Sequence, residues 1–133
     1  MSAFVDTNVL VRHLTGDPPE TAARATRLLA TERDLLVTDL VVAETVYVLE
    51  SFYEAPRDQL AEAMRSLFAF DSVVVVDPAL LLRAIEVYET DRLDFAEAYL
   101  VANAESTEVG RVASFDQAID RIDTVERVEP PAI

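Results

Sequence analysis

The stretch Ala3-Phe4-Val5-Asp6-Thr7-Asn8-Val9-Leu10-Val11-Arg12 begins as a short buried strand over residues 2–6 and passes beyond Asp6 into an apolar helix from about Asn8 to Leu14. A carboxylate placed where a buried strand stops lies at the carboxyl edge of a sheet, the edge at which open α/β folds bind ligands. The stretch therefore predicts an α/β fold and makes Asp6 the first candidate for chemistry. A helix cap is its plain alternative, and Asn8 could serve as cap equally well.

Outward from this start the chain alternates between helix and strand signals. Gly16-Asp17-Pro18-Pro19 breaks the first helix, and a second runs over about 20–32 with Ala22, Ala25, Leu28 and Leu29 on one face. Leu35-Leu36-Val37 reads as a strand, and Asp39 as the N-cap of a long helix reaching about Tyr53. Pro56 opens a helix to about Phe70, and the β-branched run Val73 to Val76 has the character of a strand covered on both faces. Helices are predicted from Pro78 to about Thr90 and from Asp94 to about Thr107. A strand near 111–114, a short helix over about 116–121 and a last strand over 124–128 complete the series. The succession predicts one α/β domain over residues 1–133, with a central, mainly parallel sheet of four to five strands sandwiched by helices and a loose tail at 130–133.

Composition narrows the function. A chain of 133 residues, half of them apolar, can bury a substantial core. No run approaches the ~20 apolar residues of a membrane span. No basic segment followed by a long apolar one marks a signal peptide. The absence of cysteine excludes disulfides and thiolate zinc sites. These features predict a cytoplasmic protein without a membrane partner. The net charge of −14 opposes a polyanionic partner, unless part of the acid is clustered on a metal that inverts the local field. All eleven basic residues are arginine, the side chain suited to bidentate phosphate contacts, although a biased genome composition produces the same bias.

Three more acids stand in costly places. Glu44 in DLVVAETVYVL shares a stripe with Leu40, Val41, Tyr47 and Val48 that is predicted to face the core, and no basic residue occurs between Arg33 and Arg57. Glu97 in DFAEAYLVANA has capping-box spacing from Asp94, so a local bond to the helix terminus is the alternative to ligand binding. Asp116 follows a predicted strand in Ala113-Ser114-Phe115-Asp116 and could cap the short helix behind it. Two carboxylates ~4 Å apart at an effective dielectric of ~20 repel by roughly 4 kcal/mol, so several gathered together require a cation. Oxygen ligands without His or Cys favour Mg²⁺ or Mn²⁺, ions that hold phosphates and activate water. The pattern predicts metal-dependent phosphodiester hydrolysis.

FVDTNVLVR, the Glu within VVAETVYVL, DFAEAYLVANA and the terminal SFD, taken in this order, resemble a PIN-domain nuclease, and among these the short VapC-type toxins of prokaryotic toxin–antitoxin pairs. The resemblance implies a parallel sheet with flanking helices and Mg²⁺- or Mn²⁺-dependent RNA cleavage. It assigns the four acidic positions to Asp6, Glu44, Glu97 and Asp116. It also implies a homodimer and a cognate antitoxin that inserts a segment across the site. Asp6, Glu97 and Asp116 would coordinate the metal, and Glu44 would bind a second ion or orient the attacking water. Thr7, Asn8 and Ser114 match polar positions that orient the carboxylates or the water. Glu97 departs from the Asp common at the third position, and its extra methylene alters ligand geometry; Asp94, one turn earlier, can share the role.

Other classes fit less well. A receiver domain needs a lysine near its last strands, and the chain has none. A haloacid-dehalogenase-type phosphatase wants a second Asp where Asn8 stands. Gly16 and Gly110 are the only glycines, too few for a P-loop or dinucleotide fold. The sole histidine, His13, is expected at the surface or a groove edge rather than as a catalyst. Arg12, Arg92 and Arg111 lie near the acidic motifs and are candidates for RNA backbone contact. The rival from another class is a catalytically inactive PIN-like domain that binds RNA or protein.

Overall fold

Parallel backbone pairing organises the first half of the chain. In the computed structural model, which describes residues 1–133, the segment Met1–Pro78 forms one compact unit and Ala79–Ile133 a second. The first contains β1 (Ala3–Phe4), α1 (Thr7–Thr15), α2 (Pro19–Thr31), β2 (Leu35–Leu36), α3 (Asp39–Ser51), α4 (Arg57–Phe68) and β3 (Val73–Val74). Its three strands run parallel in the order β1-β2-β3, with Ala3 opposite Leu35 and Leu35 opposite Val73. Parallel neighbours require crossover connections, and α1–α2 and α3–α4 supply them. Leu10, Leu29, Leu35, Leu60, Met64 and Leu67 are fully buried and form the core of this unit. The buried Ser72 hydroxyl donates to the Leu29 carbonyl at 2.6 Å and ties the entry to β3 to the end of α2.

The second unit takes in α5 (Pro78–Thr90), α6 (Phe95–Ser106), β4 (Arg111–Ala113), a 3-10 turn over Gln117–Arg121 and β5 (Glu126–Val128). The two strands pair in parallel, Val112 opposite Arg127. Leu81, Ile85, Tyr88, Leu93, Val101 and Ile119 are buried. One ionic network ties its elements together. Arg83 on α5 donates from Nε and Nη2 to the two carboxylate oxygens of Glu105 on α6, at 2.8 and 2.9 Å, and from Nη1 to Glu86. Thr124, just before β5, also donates to Glu105. This fork raises the Arg83 pKa and holds the Glu105 carboxyl below its ordinary range.

The α/β class and parallel pairing expected from the sequence are the ones found, with the five strands divided into sheets of three and two. Several local expectations are corrected. Thr38, not Asp39, caps α3, accepting from the Val41 amide at 3.2 Å. The stripe holding Glu44 does not face the core: Leu40 is 78% and Tyr47 64% exposed, while Val42, Thr45, Val46 and Leu49 are buried. α3 carries apolar residues on both faces, so periodicity could not choose between them. The run Val73–Val76 is not covered on both faces either. β3 is an edge strand two residues long, and Val76 beyond it is 92% exposed. The helix expected over 116–121 is a 3-10 turn. His13, expected at the surface or a groove edge, is partly exposed: its Nδ1 lies 2.7 Å from Thr26 Oγ1, its ring meets Phe70 edge-on at 5.4 Å, and burial lowers its pKa. No helix is long and apolar enough to cross a membrane.

Replacing Arg83 by Ala should lower the unfolding free energy by about 1–2 kcal/mol, because it strands a partly buried carboxylate. In urea denaturation the double variant with Glu105→Ala should lose less than the sum of the single changes.

Candidate acidic site

β1 delivers the first acid. Val5 donates its amide to the Leu36 carbonyl at 2.9 Å as the last bond of that ladder, and the next residue turns into α1. Asp6 N-caps the helix, its Oδ1 accepting from the Thr7 amide at 2.7 Å. Capping uses one oxygen and leaves the other for a ligand. Thr7 is buried, and its Oγ1 has no hydrogen-bond partner. Glu44, on the outward face of α3, lines the same cavity of about 590 Å³ as Asp6, together with Asn8, Arg12, Phe52 and Tyr53. Glu44 is exposed, so the cavity it shares with Asp6, rather than burial, marks it as a candidate.

The second unit carries the other acids. Glu97 lies in the first turn of α6, and Asp94 occupies its N-cap position without a side-chain capping bond. Glu97 Oε2 is buried and has no partner. The capping box suggested by the spacing is therefore not formed, and the Glu97 carboxyl turns to acid instead of to the helix terminus. It lies near enough to Asp116 for the two carboxyls to interact, with Asp94 adding a further negative charge. Desolvation first, then the contact with Asp116 and the charges of Asp116 and Asp94, push its pKa up to about 7. Asp116 itself is held firmly: its Oδ1 accepts from the Ala118 amide and its own amide donates to Ser114 Oγ, both at 2.9 Å. Arg127 fixes Ser114 in turn, donating to its carbonyl at 3.0 Å while paired with Asp120 and Glu129.

Asp6 with Glu44, and Glu97 with Asp116 and Asp94, are thus the groupings present, and neither unit by itself gathers three or more acidic or His side chains into a ligating cluster. The donor chemistry nevertheless fits a hard divalent cation. All candidates are carboxylates, and a buried oxygen without a donor beside a second carboxylate is an unmet demand for positive charge. The orphaned Thr7 hydroxyl beside Asp6 fits a water or phosphate oxygen in the same way. Two lining residues escaped the sequence reading: Phe52 and Tyr53 follow the end of α3, where no motif or spacing distinguishes them from ordinary surface.

In comparison with known families, the PIN domain model matches residues 3–125 of the chain. Among curated proteins none matches.

The raised Glu97 pKa has a measurable consequence in metal-free protein. Between about 4.5 and 7 the folded chain keeps a proton that the unfolded chain releases, so this group's contribution to stability declines as pH rises through that window. Thermal melts at about pH 5 and about pH 8 should show a larger fall for wild type than for Glu97→Gln, which has no proton to lose. Equal falls would contradict the close approach of Glu97 to Asp116.

Proposed function

Because this chain belongs to the PIN-domain family, a nuclease-type fold, we propose that it is a Mg²⁺- or Mn²⁺-dependent endoribonuclease acting as the toxin of a type II toxin–antitoxin pair. The observation that carries this reading is the Glu97–Asp116 contact, in which a buried Oε2 lacks any donor. Two carboxylates are held against one another at a cost that a bound cation would remove.

On this reading residues 1–133 act as one PIN-like domain. Asp6, Glu97 and Asp116 hold the ion, with Asp94 as an additional oxygen donor and Glu44 binding a second ion or orienting water. The ion, when bound, neutralises phosphate charge and lowers the pKa of coordinated water. The remaining work belongs to the chain. The α1 cap fixes the Asp6 carboxylate, Ser114 fixes Asp116, and Thr7 and Asn8 offer hydroxyl and amide groups to orient water or phosphate oxygens. Hydrolysis would leave a 5′-phosphate and a 3′-hydroxyl. Leu40 and Tyr47, large apolar side chains exposed on α3, support a protein partner such as a second copy or a cognate antitoxin. A cytoplasmic location accords with the absence of cysteine.

Incubation with a mixed pool of tRNA, rRNA and mRNA tests the reading. With Mn²⁺ the wild type should cleave, and EDTA or Asp6→Asn should reduce the rate by at least roughly 100-fold. Asn caps helices as well as Asp, so the fold is retained in this variant. Folded wild type that cuts nothing would replace the enzyme by the inactive binding module. Mn²⁺ should also raise the melting temperature of wild type but not of Glu97→Gln, a readout independent of turnover.

A further inference from the structure

Two cavities of the Met1–Pro78 unit adjoin, sharing Asn8 and Arg12 as walls. The first is the one that holds Asp6 and Glu44, and Phe52 and Tyr53 also line it. The second, of about 490 Å³, is lined by Arg12, Thr21 and Arg24 and contains no carboxylate. In a chain with 25 acidic residues and 11 arginines, a cavity holding two guanidinium groups and no acid stands apart.

Arg65, Arg83, Arg111 and Arg127 are engaged in ion pairs, while Arg27, Arg33 and Arg92 join Arg12 and Arg24 in having none; of these, Arg12 and Arg24 share a cavity wall. Arg24 is exposed and makes no hydrogen bond or ion pair, and Arg12 makes only a 3.3 Å bond to the Asp17 carbonyl. Both forks are available to an anion, and guanidinium geometry matches phosphate oxygens. Phe52 is 76% exposed at the other end of this arrangement, with Tyr53 beside it. Exposed rings next to free arginines are the elements with which proteins hold unpaired nucleotides, stacking the base and pairing the backbone charge.

We infer that the two cavities form a subsite for single-stranded RNA, in which Phe52 and Tyr53 stack an unpaired base and Arg12 and Arg24 hold a neighbouring backbone phosphate. The inference rests on the ribonuclease reading and deepens it: the strand is laid past Asp6 and Glu44, and base-paired RNA is rejected because its bases cannot reach the rings. Attraction is thereby local, on one cavity wall of an otherwise repulsive protein.

The test is fluorescence anisotropy with a labelled 12-nucleotide single strand and with the same strand in a duplex, the full chain carrying Asp6→Asn throughout to keep the RNA intact. Arg24→Gln should weaken single-strand binding about fivefold and reduce the slope of log K against log salt by about 0.7, and Arg24→Lys should restore the slope. Phe52→Ala should weaken single-strand binding about tenfold with the slope unchanged, while Phe52→Trp restores affinity and the duplex is indifferent to either change. Both side chains are exposed, so circular dichroism should be unaltered. If wild type cleaves RNA while Arg24→Gln and Phe52→Ala bind as tightly as their parent, the subsite is wrong and the ribonuclease stands. If wild type neither binds nor cleaves RNA, both fall. Equal losses for duplex and single strand in Phe52→Ala overturn the stacking role.

Discussion

The ladder between β1 and β2 ends on the bond from the Val5 amide to the Leu36 carbonyl, and the carboxylate of Asp6 takes over at once as partner of the Thr7 amide. The carboxylate thus caps the first helical amide after the sheet bond, and an acid stands where the strand stops. Such a junction is forced by parallel topology, because each strand must leave the sheet into a crossover helix. The same device recurs at Asp116, which caps the 3-10 turn after β4 and is fixed through Ser114. Capping and ligand binding do not compete at either position, since each cap occupies a single carboxylate oxygen.

Arginines fall into two groups in this chain, those tied to acids and those that are not. In Ala79–Ile133, Arg83 and Arg127 are absorbed in networks with Glu105, Glu86, Asp120 and Glu129, which compensate acid and join elements distant in sequence. In Met1–Pro78, Arg12 and Arg24 are left without carboxylate partners around a cavity. The first arrangement joins elements of the fold; the second is the one that the proposed RNA subsite would use. A net charge of −14 is therefore compatible with a polyanionic ligand, because field strength at the contact depends on the nearest groups and distant charges are screened within about 8–10 Å.

Glu97 joins the electrostatics to the family comparison. Its carboxyl is driven to about 7 by desolvation and by its acidic neighbours, and it makes no use of the helix terminus that its spacing offered. An Asp at this position would be one methylene shorter and would stand farther from Asp116 for the same backbone.

The order of elements and the candidate acids were legible in the sequence because their signals are local: Pro and Gly breaks, the periodicity of α2, and carboxylates at the ends of apolar runs. The four motifs carried the family, which the match over residues 3–125 establishes. Period, however, does not encode direction. α3 is apolar on two faces, and only packing decided that Val42, Val46 and Leu49 go inside and Leu40, Glu44 and Tyr47 outside. Spacing at Asp94 and Glu97 allowed a capping box, and only the approach of Asp116, nineteen residues after Glu97, showed what the carboxyl faces. The cavities lined by Phe52, Tyr53 and Arg24 were invisible for the same reason, since α1, α2 and α3 bring these side chains to shared walls across intervals that no local pattern spans. The sequence by itself determined which segments become helix or strand, and where its acids fall along them. Tertiary structure decided which faces are buried and which charges meet, because those outcomes depend on contacts between residues far apart in the chain.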